Sequence, residues 1–158
     1  MGESMPRGSQ EDRKIGTYDV ALAELDRVEK ENGRQQCILL VDDNEMMVEM
    51  AKTMLEQFGY IVFAATDSIE AFDVFMCRPH TFDLVITDHI MPKMKGTELA
   101  EAILKVRPGI PILLCTGYSG EVSPEQAKEV GIQGYLLKPF SLMELSSALD
   151  RILPRPSA

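Results

Sequence analysis

Five short, continuously apolar runs, Cys37–Val41, 60–65, 82–87, 110–116 and Gly134–Leu137, recur along this chain, and an amphipathic segment follows each. Strands buried on both faces read this way, because every side chain meets apolar surroundings whichever face it takes; a half-solvated antiparallel strand alternates instead. Helical crossovers between such strands imply an α/β protein, a doubly wound parallel sheet of five strands flanked by five helices. The helical faces are legible. Met47, Met50, Ala51, Met54, Leu55 and Phe58 form one, ended by Gly59. Leu99, Ala102, Ile103 and Val106 form another, ended before Pro108, and Leu142, Leu145, Leu149 and Ile152 form the last. Helix starts are marked by the capping-box spacings Asp67…Glu70, Ser123…Gln126 with Pro124 at the first helical position, and Ser141…Glu144.

Ahead of this pattern, residues 1–36 are polar, with Ile15, Tyr18, Leu22 and Leu25 at intervals of three and four, so an extension or linker, part helical, is expected there. The sheet domain spans 37–153, and 154–158 make a tail with Pro154 and Pro156, too short for an output module. No apolar run approaches the ~20 residues that span a bilayer, and the N-terminus has no apolar stretch of a secretory signal. A cytoplasmic protein without membrane contact is expected. Cys37, Cys77 and Cys115 lie far apart with no CxxC spacing, which fits reduced, buried thiols. The net charge of −9 opposes direct nucleic-acid binding and favours proteins or cations as partners.

In open parallel sheets, functional groups gather at the carboxyl ends of the strands. The first run ends on Asp42-Asp43, the third on Asp88, the fourth on Thr116, and the fifth leads into Lys138-Pro139. Singly each has an ordinary explanation: the acids can cap a helix, the threonine can satisfy a loop amide, and the lysine can be solvated. Together they are a chemical set. Three carboxylates at one sheet edge repel one another, and a hard divalent cation with oxygen ligands, Mg²⁺, relieves that repulsion. Formal charges of −3, +2 and +1 then cancel, so a phosphoryl group enters without facing a net anion and Asp88 is the candidate nucleophile.

The stretches ILLVDDNEMM at 38–47, FDLVITDHIMPKMKG at 82–96, PILLCTGYSG at 111–120 and GYLLKPF at 134–140 resemble those of the bacterial response-regulator receiver. The resemblance implies a flavodoxin-like strand order of 2-1-3-4-5, with two helices on one face and three on the other. It implies Asp88 as phosphoacceptor, Mg²⁺ held by Asp42, Asp43, Asp88 and the backbone carbonyl of Ile90, and Thr116 and Lys138 on the phosphoryl oxygens. Thr116 and Tyr135 become the switch pair. A sensor histidine kinase or histidine phosphotransfer domain is the implied donor, with an unidentified protein downstream. The stretch 33–43 is similar to the junction before the C-terminal receiver of a hybrid sensor kinase.

A haloacid-dehalogenase-type phosphatase also uses a strand-end aspartate, but it needs a second acid two residues on, where this chain has Ile90. A flavodoxin-like FMN module would have to seat a phosphate against Asp42-Asp43, which repel it. A receiver that binds partners without phosphorylation would not need the complete acid set. Ile90 and Tyr118 rim the site, and neither is suited to orient an attacking water, so a bound phosphoryl group is expected to persist. His80 and His89 read as solvent or loop residues. Met46 falls off the first helix's core face, and the resemblance makes it a candidate contact for the phosphodonor, which the first turns of this helix help to dock in the family.

Overall fold

The computed structural model describes residues 22–23, 35–117 and 122–153. The chain divides into two units, Met1–Arg34 and Gln35–Ala158, and the sheet with its helices lies in the second. Of the helix expected on Ile15, Tyr18, Leu22 and Leu25, only Leu22 and Ala23 are described, both helical; the remainder lies outside the described residues.

The sheet unit runs β1 (Cys37–Val41), α1 (Glu45–Gln57), β2 (Ile61–Ala65), α2 (Ser68–Cys77), β3 (Leu84–Asp88), α3 (Gly96–Val106), β4 (Ile112–Thr116), α4 (Pro124–Val130), β5 (Gly134–Leu137), α5 (Leu142–Ile152). All four strand pairings are parallel and the order is β2-β1-β3-β4-β5. Period-two alternation sends Ile38, Leu40, Ile86 and Leu113 to one face, where α1 (Val48, Ala51, Leu55) and α5 (Leu145, Leu149) cover them. Helices α2, α3 and α4 pack side by side elsewhere, α2 on α3 and α3 on α4. The sheet is thus covered by helices on both faces.

Continuous burial holds for the central strands β1 and β4 and for all but the last residue of β3. The edge strands β2 and β5 are only partly buried, since one neighbour is missing on the open side. Strands two, three and four begin one or two residues later than the apolar runs do, because Tyr60, Phe82 and Ile110 are buried in the connections rather than in the ladder. The α1 face is turned from the expected one: Val48, Ala51 and Leu55 are buried while Met50 is exposed. On α3 the buried set is Leu99, Ala100 and Ile103, and Val106 is exposed. Ser123 and Gln126 form the reciprocal capping box at α4, and Asp67 and Ser141 cap α2 and α5 through their side chains. Cys37 and Cys115 are buried as expected, whereas Cys77 ends α2 in an exposed position.

Candidate functional site

Parallel strands in register bring their carboxyl ends to one edge of the sheet, so the residues that follow them become neighbours although they are far apart in sequence. Val41 pairs with Thr87, Asp88 with Cys115 and Thr116 with Leu137. The Lys138 amide donates to the Thr116 carbonyl at 2.7 Å, which carries the ladder one residue further and places the lysine beside β4. The peptide joining Lys138 to Pro139 is cis. Asp42, Asp43 and Asp88 each present an oxygen within 4.8 Å of the other two. The Lys138 ammonium lies 2.6 Å from Asp42 Oδ2 and 3.1 Å from Asp88 Oδ1. Four of the expected residues therefore meet at one place, with Asp42 buried and Asp43 open to solvent.

Capping does not claim the acid pair. Asn44 is the N-cap of α1, its Oδ1 accepting from the amides of Met46 and Met47 at 3.0 and 3.2 Å. The Asn44 amide in turn donates to Asp42 Oδ1 at 3.0 Å and fixes that carboxylate at the strand end. Asn44 was legible as an Asn immediately before an amphipathic run, the usual cap signal.

Burial is the largest influence on Asp88 and pushes its carboxyl above the ordinary carboxylate range; Lys138 opposes this and Asp42 adds to it. Burial works against the charged form of Lys138, yet its hydrogen bond to Asp42 and the nearby Asp88 outweigh that and hold the ammonium above its usual range. Cys115, in register with Asp88, has its thiol pushed up to about 12 by burial and is chemically inert near neutral pH.

The connection from β3 to α3 folds tightly under Asp88. The Gly96 amide donates to the His89 carbonyl at 2.8 Å, and a Cβ on Gly96 would stand 2.2 Å from the Asp88 carbonyl oxygen and 2.9 Å from His89 Cα. Glycine is required there by close approach. Ile90 follows with its side chain 50% exposed. His89, expected in solvent or a loop, is indeed in the connection but only 2% exposed; its amide donates to the Cys115 carbonyl at 3.1 Å, which draws it under the sheet edge. His80 is exposed. Met46 is 82% exposed at the start of α1, off the core face.

Thr116 is buried, and among the described residues its hydroxyl makes only a long contact of 3.5 Å to the Gly117 carbonyl. Tyr135 is in register with Leu114, two residues before Thr116, so both side chains leave the same face of the sheet. Its hydroxyl donates to the Val122 carbonyl at 2.8 Å, fastening the ring to the segment that leads into α4. Tyr118 lies outside the described residues.

Oxygen atoms of three carboxylates are the donor set a hard divalent ion takes, and around octahedral Mg²⁺ at ~2.1 Å the ligand oxygens sit roughly 3–4 Å apart. The 4.8 Å spread of the acid cluster needs only a small closure to match, so the residues fit the ion.

Comparison with known proteins agrees with this fold. Residues 38–150 match the Response regulator receiver domain family. The chain is 35% identical over 126 residues to the probable transcriptional regulator ycf27 of Cyanidium caldarium, covering 80% of this chain and 49% of that protein. It is 31% identical to the chemotaxis protein CheY of Halobacterium salinarum, covering 73% of this chain and 95% of that one. Among solved structures, the HemR receiver domain of Leptospira biflexa superposes with a TM-score of 0.69 at 36% identity, covering 78% of this chain and all of that one. A receiver domain protein of Clostridium thermocellum gives a TM-score of 0.70 at 31% identity, covering 73% and 92%. The chain spans about half the length of regulators such as ycf27 and the Bacillus subtilis PhoP protein.

Proposed function

This chain belongs to the response-regulator receiver family, a phosphoacceptor signalling domain of two-component systems, and on that premise we propose that Asp88 accepts the phosphoryl group and that Asp42, Asp43, Asp88 and the Ile90 carbonyl hold Mg²⁺. The observation that carries the reading is the single point where three carboxylates and one ammonium meet, with Lys138 Nζ within 3.1 Å of two of the acids.

A carboxylate oxygen of Asp88 attacks the incoming phosphorus; the new O–P bond forms as the bond to the donor breaks, and the donor nitrogen or oxygen leaves on the opposite side. Bound Mg²⁺ supplies charge that offsets the phosphoryl oxygens. Lys138 is held by Asp42 and Asp88 before the reaction, and it serves the phosphoryl group by turning its ammonium from Asp42 toward a new oxygen. Thr116 loses little when it turns, because its hydroxyl has only the long Gly117 contact. The space it leaves lies on the face that Tyr135 shares, and two packings of one ring make a switch. The donor is a sensor histidine kinase or a histidine phosphotransfer domain, with Met46 as one contact, and the output is another protein, since net charge −9 disfavours direct nucleic-acid contact. The domain catalyses only its own phosphorylation and dephosphorylation. Among the described residues no helix is long and apolar enough to cross a membrane, and we place the chain in the cytoplasm.

A phosphatase reading is disfavoured by Ile90, an apolar side chain where a turnover enzyme needs a proton donor. Incubation with a small phosphodonor and Mg²⁺, followed by intact mass and a product assay, tests the choice. One stable phosphoryl adduct is expected; steady multiple turnover of phosphomonoesters would favour the enzyme.

A further inference from the structure

The loop between β3 and α3, residues 89–95, is fastened at both its base and its tip. At the base, the His89 amide donates to the Cys115 carbonyl and the Gly96 amide to the His89 carbonyl. At the tip, Ser68 Oγ donates to the Pro92 carbonyl at 3.3 Å, and Lys93 Nζ donates to Asp67 Oδ2 at 2.5 Å. Both anchors come from the start of α2. Ser68 is buried, and its hydroxyl makes this contact there. Asp67 acts twice: Oδ1 caps α2 by accepting from the amides of Ile69 and Glu70, and Oδ2 is left for the lysine. Lys93 has φ 72°, the left-handed region that a residue with a side chain adopts only where its surroundings hold it there. The Met94 amide closes the tip by donating to the Pro92 carbonyl at 2.8 Å. Ile90 lies between these two fastened points.

We propose that Asp67 and Ser68 are positioning residues for the cation site: by holding Lys93 and Pro92 they fix the loop in the shape that presents the Ile90 carbonyl to Asp42, Asp43 and Asp88. This rests on the reading of those three acids and that carbonyl as the Mg²⁺ ligands. Asp67 and Ser68 touch none of the reacting groups and act only through backbone shape.

Two variants separate shape from charge. Lys93→Met removes a cation near the site, so a simple field effect would tighten Mg²⁺ binding, whereas loss of the anchor weakens it. Ser68→Ala changes no charge at all. The measurements are the Mg²⁺ dissociation constant by titration calorimetry, the unfolding midpoint without metal, and the backbone amide spectrum of the loop. Each variant is expected to weaken Mg²⁺ on the order of 10-fold, as loss of a ligand-orienting contact does. Amide shifts should be confined to the loop and the start of α2. Adding Asp67→Asn to Lys93→Met should weaken binding little further, because both act through one pair and Asn keeps the cap of α2. Tighter or unchanged binding in Lys93→Met overturns the proposal. So does weakening accompanied by amide shifts across the whole sheet. If the wild type binds no Mg²⁺, or Asp43→Ala binds it as well as wild type, the reading of the acids is what fails; if Asp43→Ala loses binding while Lys93→Met and Ser68→Ala match wild type, only the positioning role fails.

Discussion

Lys138 Nζ sits closer to Asp42 Oδ2, at 2.6 Å, than to Asp88 Oδ1, at 3.1 Å, so before phosphorylation the lysine acts as an internal cation on the acid cluster. It occupies charge that a metal ion would otherwise neutralise. Lys138→Met should therefore bind Mg²⁺ several-fold more tightly while losing about 1–3 kcal/mol of stability in EDTA, since buried carboxylates are left without their partner. Calorimetric titration and chemical unfolding with and without Mg²⁺ check the two effects, which have opposite sign.

The same cluster gives a pH dependence through Asp88. Burial raises its carboxyl above the unfolded value of 3.8, so the folded state holds this proton more tightly than the unfolded one. Its contribution to stability is present in full below pH 3.8 and is lost as pH rises through its folded value. Once pH exceeds that folded value the ionised Asp88 therefore costs stability, and Asp88→Asn should there raise the unfolding midpoint by roughly 2–5 °C in EDTA. The difference should shrink as pH falls toward 3.8 and should also shrink when Mg²⁺ is added to the wild type. Thermal unfolding at several pH values measures it.

Gly96 tests how closely the loop is wedged beneath Asp88. Any Cβ there would meet backbone, the Asp88 carbonyl oxygen at 2.2 Å, and backbone cannot swing aside. Gly96→Ala is expected to cost about 2–4 kcal/mol and to shift the amides of Asp88 and His89 more than any others, as read by urea unfolding and amide NMR.

Variants of Thr116 and Tyr135 are expected to separate loading from response. Thr116→Ala should still be phosphorylated, but the shift of β5 and α4 should be lost, because the hydroxyl that vacates space for the ring is gone. Tyr135→Phe removes the bond to the Val122 carbonyl and should mobilise the ring in the unphosphorylated protein. Amide spectra before and after phosphorylation distinguish the two: a full wild-type shift in Thr116→Ala would break the proposed coupling.

Much of this was readable from the chain itself because the fold uses strong local signals. Apolar runs with no alternation identify β1, β3 and β4, and what immediately follows a parallel strand must lie at the common edge, so Asp42, Asp88, Thr116 and Lys138 could be placed together. Rotation of helices was less legible. On α1 the four methionines Met46, Met47, Met50 and Met54 blur the apolar face, and tertiary packing chose Val48 over Met50. His89 lies in a connection as expected, but its burial was not legible, because polarity says nothing about a residue whose backbone is pulled under a sheet edge by the Cys115 carbonyl. The anchoring of Pro92 and Lys93 by Ser68 and Asp67 could not be read at all: those pairs are 24 and 26 residues apart and meet only once α2 is packed beside the loop. Ile90 is exposed in the connection after β3, and Tyr118, the other residue expected to slow loss of a phosphoryl group, lies outside the described residues.

The central claim is that Asp88 receives the phosphoryl group in a reaction that needs the acid cluster and its cation. Intact mass of wild type and Asp88→Asn, each incubated with a small phosphodonor in Mg²⁺ or in EDTA, measures this directly. One added phosphoryl group is expected in wild type with Mg²⁺, and none in wild type with EDTA or in Asp88→Asn under either condition. Undiminished phosphorylation of Asp88→Asn, or of the wild type in EDTA, would contradict it.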